Sequence, residues 1–316
     1  MYNVYSRPGR SYFSGLMVLF GGILVGMFIG SMISMGIWVM ATDRGIFELQ
    51  TQMTNPAYRS VFQWIQVVST FFVFFVPAWF MAQYMSRKPF AFLGYNTYFS
   101  GRQYLLTVLV MLAALPVVGA MGDLNKMIPL SGELAERFRE MERQYNDQVK
   151  VLADIRTPVD YVVSLLLMAL APAIFEEMLF RGGMQQLLFR GTKRMWVAIL
   201  LTSIVFSAIH LSFFGFLPRL LLGVVLGLLF HWSGSLWLPI LGHFVNNAVA
   251  VTQLYWYLRQ GKTLEQAMEE SLPIWWAVLG IAALIGLLIR FYGQSLVDRK
   301  ERVPAEDQAN EEQWMS

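Results

Sequence analysis

The 316 residues contain no cysteine. That excludes disulfides, a thiol nucleophile, a thiolate metal site and a prenylated C-terminus, so any metal must bind through nitrogen or oxygen. Charge is scarce as well, at 14% of residues, against about 25% in ordinary soluble domains. From Met195 to Leu258 the only formally charged side chain is Arg219. Histidine is rarer still, with three in the chain. The net charge of +3 is small and scattered, which excludes nucleic acid as a partner, since that calls for a clustered basic face.

What the chain has in plenty is apolar surface: 56% of residues are hydrophobic and the mean hydropathy is +0.48. Runs of about 18 or more apolar residues read as membrane-crossing helices. Such runs are expected at 14–40, 61–84, 104–121, 160–180, 195–212, 214–232, 235–258 and 272–292. The fold class is therefore all-α, a polytopic membrane protein of about eight transmembrane helices. Arg7 and Arg10 precede the first run, as in a secretory signal. The uncharged stretch from Ser14 to Met40 exceeds the roughly 7–15 residues of a cleaved signal, so it is expected to stay in the membrane. The sixth span is the weakest, because Pro218 and Arg219 leave a short apolar core from Leu220 to Trp232. Gly22, Gly26 and Gly30 in the first span, and Gly223 and Gly227 in the sixth, are spaced to admit a close helix neighbour. Ordinary membrane composition accounts for them equally well.

Loop charge sets an orientation. Arg87, Lys88 and Arg102 follow the second span, Arg190, Lys193 and Arg194 the fourth, and Arg290, Arg299, Lys300 and Arg302 the eighth. Basic loops stay in the cytoplasm, which places both termini there. The longest polar stretch, 122–157, carries Leu134, Phe138, Met141, Tyr145, Val149 and Leu152 at three- and four-residue steps. That period predicts an amphipathic helix over about 131–152 on the non-cytoplasmic side. It either lies on the membrane surface, the plainer arrangement, or caps an internal cavity. The expected organisation is three N-terminal spans with this helix (1–157), a helical core (158–258), and a last span with a polar tail (259–316). The tail from Val303 to Ser316 has the composition of a disordered segment.

Ionisable groups inside a span cost roughly 2.5–3.5 kcal/mol each and so mark function. Glu176 and Glu177 end a purely apolar run, and Arg181 lies four residues past Glu177 on the same helix face. Adjacent helix positions point apart, so Arg181 pairs better with Glu177 and leaves Glu176 free to act as a general base. The alternative is that both glutamates bind Arg181 and merely cap the helix end. Two of the three histidines, His210 and His243, also sit in apolar spans. Asn247 shares a helix face with His243, and Asn246 is a less aligned substitute. Imidazole and carboxamide both donate hydrogen bonds to a developing oxyanion. A histidine of this kind is often only a packing residue, and His231, beside Trp232, is read that way.

Three motifs in order, Glu-Glu-x-x-x-Arg at 176–181, Phe-x-x-x-His at 206–210 and His-x-x-x-Asn at 243–247, resemble those of the CAAX protease and bacteriocin-processing (CPBP, or Abi) family of intramembrane proteases. The Ser233 to Trp237 lead-in to His243 is similar too, and the resemblance covers about 160–255. It implies that Glu176 and His210 activate water, that His243 and Asn247 stabilise the oxyanion, and that Glu177 and Arg181 support them. It further implies an endopeptidase acting on membrane-associated peptides or proteins, located in the plasma (inner) membrane of a bacterium. Members are commonly described as metalloproteases, and Glu176, His210 and His243 are the candidate zinc ligands. The chain lacks His-Glu-x-x-His, so direct glutamate catalysis without a cofactor is favoured and zinc stays open.

On a linear count Glu176 lies near the cytoplasmic end of its span and His210 near the far end of the next. They meet only if the fourth helix runs on toward Leu188, or if the fifth is tilted or broken. A transporter using the same groups for proton relay, and a non-catalytic scaffold or immunity protein, are the competing readings. Against a transporter, the sequence shows no inverted repeat.

Overall fold

A computed structural model describes residues 7, 9–152, 154–262, 266 and 273–302. Among the described residues the regular structure is all helical, with no strand. Its long helices are α1 (Tyr12–Thr42), α2 (Pro56–Met85), α3 (Gly101–Lys126), α4 (Gly132–Leu152), α5 (Pro158–Thr192), α6 (Met195–Ala208), α7 (Phe216–Ser233), α8 (Trp237–Arg259) and α9 (Ile274–Arg302). The tail from Val303 to Ser316 lies outside the described residues.

Six of these helices, α1, α2, α3, α5, α7 and α9, are long and apolar enough to cross a membrane. The protein is an integral membrane protein on that ground. α7 qualifies despite Arg219, because the apolar helix extends to Ser233. α6 is apolar but has only 14 residues. α8 spans 23 residues yet is not among the six. His243, Asn246, Asn247, Gln253 and Arg259 lower its hydropathy.

The outer faces are apolar: Leu24 and Phe28 on α1, and Val278 and Ile289 on α9, are 62–70% exposed. Large exposed hydrophobics are a liability in water and the natural surface in lipid. The interior core joins Leu19 of α1, Met81 of α2, Phe180 of α5, Phe206 of α6 and Phe230 of α7. A second core packs α3 against α7, α8 and α9 through Val110, Met111, Leu226, Leu229, Leu238 and Phe291.

Two glycine rows make helix contacts that no larger residue allows. A Cβ built on Gly26 would sit 2.0 Å from the Phe72 carbonyl oxygen, so α1 crosses α2 backbone to backbone. A Cβ on Gly223 would sit 2.8 Å from Cβ of Ser203, where α7 meets α6. Close approach is the role of these glycines in membrane helix pairs.

α5 departs from a regular helix twice. Turns widened to the i→i+5 pattern cover Leu165–Leu170 and Met178–Gln185, on either side of the regular segment Ala171–Glu177. Pro172 has no N–H for the carbonyl four residues earlier, which favours the first widening. Such π turns re-aim side chains and concentrate at functional sites. α5 runs on to Thr192, well past the expected end at 180, so both glutamates lie near its middle. The difficulty of the linear count is thereby removed.

Candidate active site

The site is built from four stretches of backbone. α5 contributes Glu176, Glu177 and Arg181, all buried. The turn after α6 contributes His210, α7 contributes Arg219, and α8 contributes His243, Asn246 and Asn247.

His210 is not on a helix. α6 stops at Ala208, and Leu211 takes a left-handed φ of 51° that reverses the chain. The turn is pinned from two sides. Ser207 Oγ donates to the Phe216 carbonyl at 2.6 Å. Asn125, buried at the end of α3, donates to the Phe213 carbonyl at 2.8 Å and accepts from the Leu217 N–H at 3.0 Å. Pro218 falls within the first turn of α7, where its missing N–H costs no helical bond.

Arg181 Nη1 donates to Glu177 Oε1 at 2.7 Å, and both side chains are fully buried. The pairing is the one the i, i+4 spacing favours. Arg181 Nη2 also reaches across to the Gly223 carbonyl at 3.0 Å, and its guanidinium lies 4.8 Å from the Phe206 ring. One helical turn on, Gln185 Nε2 donates to the Gly227 carbonyl at 3.0 Å. The glycine row of α7 therefore serves two neighbours. It lets α6 approach and leaves carbonyls open to α5.

Glu177 has a second partner that the sequence does not reveal. His243 Nδ1 lies 2.8 Å from the same Oε1. An ionised carboxylate only accepts, so Nδ1 carries the hydrogen, and in the neutral ring Nε2 is then bare. His243 Nε2 faces Glu176 Oε2 at 3.9 Å. That Glu176 oxygen is buried and has no hydrogen-bond partner among the described residues. His210 is oriented in a similar way, with Nδ1 2.8 Å from the Phe206 carbonyl, which accepts, so its Nε2 is also bare. A fixed tautomer set by a partner on the other ring nitrogen is how proteins aim an imidazole.

These groups open on one cavity of about 530 Å³. Glu176, His210, His243, Asn246, Asn247 and Arg219 line it, while Glu177 and Arg181 stay behind the wall. Asn246 Nδ2 donates to Asn247 Oδ1 at 3.2 Å. Asn246 thus stands in the site beside Asn247. The rest of the lining is largely apolar, including Phe62 and Ile65 of α2 and Leu222 of α7.

α4 forms the roof. Tyr145, Gln148, Val149 and Leu152 line the cavity, which favours the capping arrangement over a helix lying free on the membrane. Its C-terminal end is tied down where Gln63 Nε2 donates to the Leu152 carbonyl at 3.1 Å and Val151 packs with Trp38 and Phe62. Phe138 stacks on Phe213 of the His210 turn at 4.8 Å between centroids.

Two site features escape the sequence reading. Asn246 ranks below Asn247 by spacing alone. Arg219 counts there only as a weakness of the sixth span, although the cost of a charge in a span was signal enough to make it a candidate.

Among the described residues no group of three His, Cys, Asp or Glu is placed to hold a metal ion.

The three motifs fall in a segment with known relatives. Residues 158–249 match the family described as type II CAAX prenyl endopeptidase, Rce1-like. This segment resembles that family. It contains every group of the cavity wall except those of α2 and α4 and the short stretch around Met53, together with Ala250 and Val251. A curated relative, the uncharacterized protein YpbD of Bacillus subtilis (strain 168), is 30% identical over 116 residues. That match covers 34% of this chain and 57% of YpbD, little more than half the relative's length. No solved structure matches the chain. The Rce1-like match agrees with the CPBP resemblance of the motifs and says nothing of which residues act.

Proposed function

We propose that this protein is an intramembrane endopeptidase that hydrolyses peptide bonds of membrane-associated peptides or proteins. The observation that carries the proposal is the pairing of Glu176 with His243, at 3.9 Å, on a cavity shared with His210 and Asn247. The Rce1-like match over 158–249 supports it.

In the proposed reaction Glu176 and His210 hold a water. Glu176 takes its proton as the oxygen attacks the scissile carbonyl. The carboxamide of Asn247, its oxygen engaged by Asn246, donates from nitrogen to the oxyanion. His243 joins as a donor only once Nε2 has gained a proton, because Nδ1–H is committed to Glu177. Glu176, which faces Nε2, supplies that proton, and it passes on to the leaving amine as the C–N bond breaks. Glu177 and Arg181 are positioning residues: they form a buried neutral pair that holds the ring in this tautomer. No metal or cofactor is needed in this scheme.

The proposed topology has eight membrane helices, α1 to α3 and α5 to α9, with α4 outside and both termini in the cytoplasm of a bacterium's inner membrane. Residues 158–258 form the catalytic core, and 1–157 supplies a wall and the roof. Because the chain lacks cysteine, single cysteines report the topology directly. Arg137→Cys is expected to react with an impermeant maleimide from outside, and Arg87→Cys only after permeabilisation. The reverse pattern refutes the orientation.

The function is tested by quantitative proteomics of membranes from cells holding wild-type or Glu176→Gln protein. New membrane-protein fragments are expected with the wild type alone, at equal protein levels. Identical fragment patterns refute the proposal. Proton-coupled uptake by purified protein in liposomes would point instead to transport.

A further inference from the structure

Arg219 is a cation with no bonded anion among the described residues, although the charge of Glu176 lies near enough to act on it. Among the described residues it has no carboxylate within ion-pair distance, and Nη1 is buried with no hydrogen-bond partner. Its guanidinium is held in place. A Cβ on Gly215 would fall 2.2 Å from Nη1, so the backbone of the preceding turn packs directly on it. The Tyr145 ring of the α4 roof lies 5.1 Å from Cζ. Arg219 lines the same cavity as Glu176 and His243. A half-buried charge with one nitrogen shut off from partners costs free energy unless it is compensated, and a fixed cation in a largely apolar cavity is a standing receptor for an anion. Glu176 shares the space, but no bond joins the two.

Resting on the protease reading, the occupant is a peptide, and the anion that peptides carry is a carboxylate. We propose that Arg219 selects substrates by pairing with a carboxylate of the bound peptide, either its free C-terminus or an acidic side chain close to the scissile bond. The planar guanidinium suits this ligand, because it meets both carboxylate oxygens at once. Tyr145 would then act as a backstop that keeps the guanidinium turned to the cavity.

The test is a binding measurement that needs no turnover. Full-length Glu176→Gln protein in nanodiscs is titrated with three fluorescent, N-acylated apolar octapeptides. One has a free C-terminal carboxylate, one a C-terminal amide, and one an amide with an internal aspartate. A charge-assisted contact of about 1.4 kcal/mol gives a tenfold preference for one or both acidic peptides over the neutral amide. Which acidic peptide gains it separates the two carboxylate sources. In Glu176→Gln/Arg219→Gln protein the preference is expected to shrink below twofold while the neutral amide binds as before. Glu176→Gln/Arg219→Lys is expected to keep part of it. Equal binding of all three peptides, or of none, overturns the proposal without recourse to any Arg219 variant. So does a preference that survives Arg219→Gln. If wild-type protein cleaves peptides without an acidic preference, the inference fails and the protease reading stands. If the Arg219-dependent preference appears and nothing is cleaved in cells or liposomes, the protease reading fails instead.

Discussion

Replacing Arg181 with methionine leaves the buried Glu177 carboxylate without its cation, held only by the hydrogen bond from His243. Breaking a buried pair by removing one partner costs about 3–5 kcal/mol, because the surviving charge is stranded. Here the bond to the Gly223 carbonyl and the contact with Phe206 are lost in the same step, which puts the expected cost at the upper end. That is a large share of the roughly 5–15 kcal/mol that holds a typical protein folded. The double variant Glu177→Gln/Arg181→Met removes both charges. Its amide oxygen still accepts from His243 Nδ1, so it is expected to recover at least about 2 kcal/mol relative to Arg181→Met alone. Unfolding midpoints in mixed detergent micelles, read by tryptophan fluorescence, give both numbers. If the single variant loses less than about 1 kcal/mol, or the double variant is no more stable than the single, then Arg181 is not compensating Glu177 and the positioning role fails.

Asn247→Ala removes an oxyanion donor and is expected to lower kcat about 10²–10³-fold with KM little changed, measured on a peptide cleaved in liposomes. An unchanged kcat would remove Asn247 from the reaction. Gly223→Ala introduces a methyl 2.8 Å from Cβ of Ser203, and the overpacking is expected to cost about 1–3 kcal/mol. Adding Ser203→Gly should restore most of the lost unfolding midpoint, and failure to do so would place the strain elsewhere. Since no three donors gather for a metal among the described residues, cleavage is expected to persist in the presence of 1,10-phenanthroline. Loss of activity that returns only on adding zinc would contradict direct glutamate catalysis.

Much of the fold was legible because a bilayer reads hydropathy and little else. All eight expected spans coincide with helices, and six of them meet the demands of length and apolarity. The two that do not are informative. α6 stops short because the chain must turn at Leu211 to present His210, and α8 is less apolar because it carries the polar side chains of the site. Spacing was enough to pair Glu177 with Arg181, since both lie on one helix face four residues apart. It could not find the bond from Glu177 to His243, which joins positions 66 residues apart. Nor could it show that α5 continues to Thr192 through two widened turns, because a π turn leaves no fixed signature in residue type. Arg219 was visible as a lone charge, yet its relation to Tyr145 and Gly215 exists only in three dimensions.

The size of the cavity sets how much of a chain it can surround at one time. An α-helix about 10 Å across, rising 1.5 Å per residue, fills roughly 120 Å³ per residue. A space of about 530 Å³ therefore takes in fewer than five residues, little more than one turn. On the protease reading, the cavity surrounds about one turn of a coiled transmembrane segment, and the carbonyl of that turn is already engaged in a helical hydrogen bond. Local opening of that turn would free the carbonyl for attack, so susceptibility would follow the ease with which a candidate gives up its own backbone bonds. Glycine, proline or a ragged end near the cut would then distinguish victims from bystanders more sharply than any single side chain.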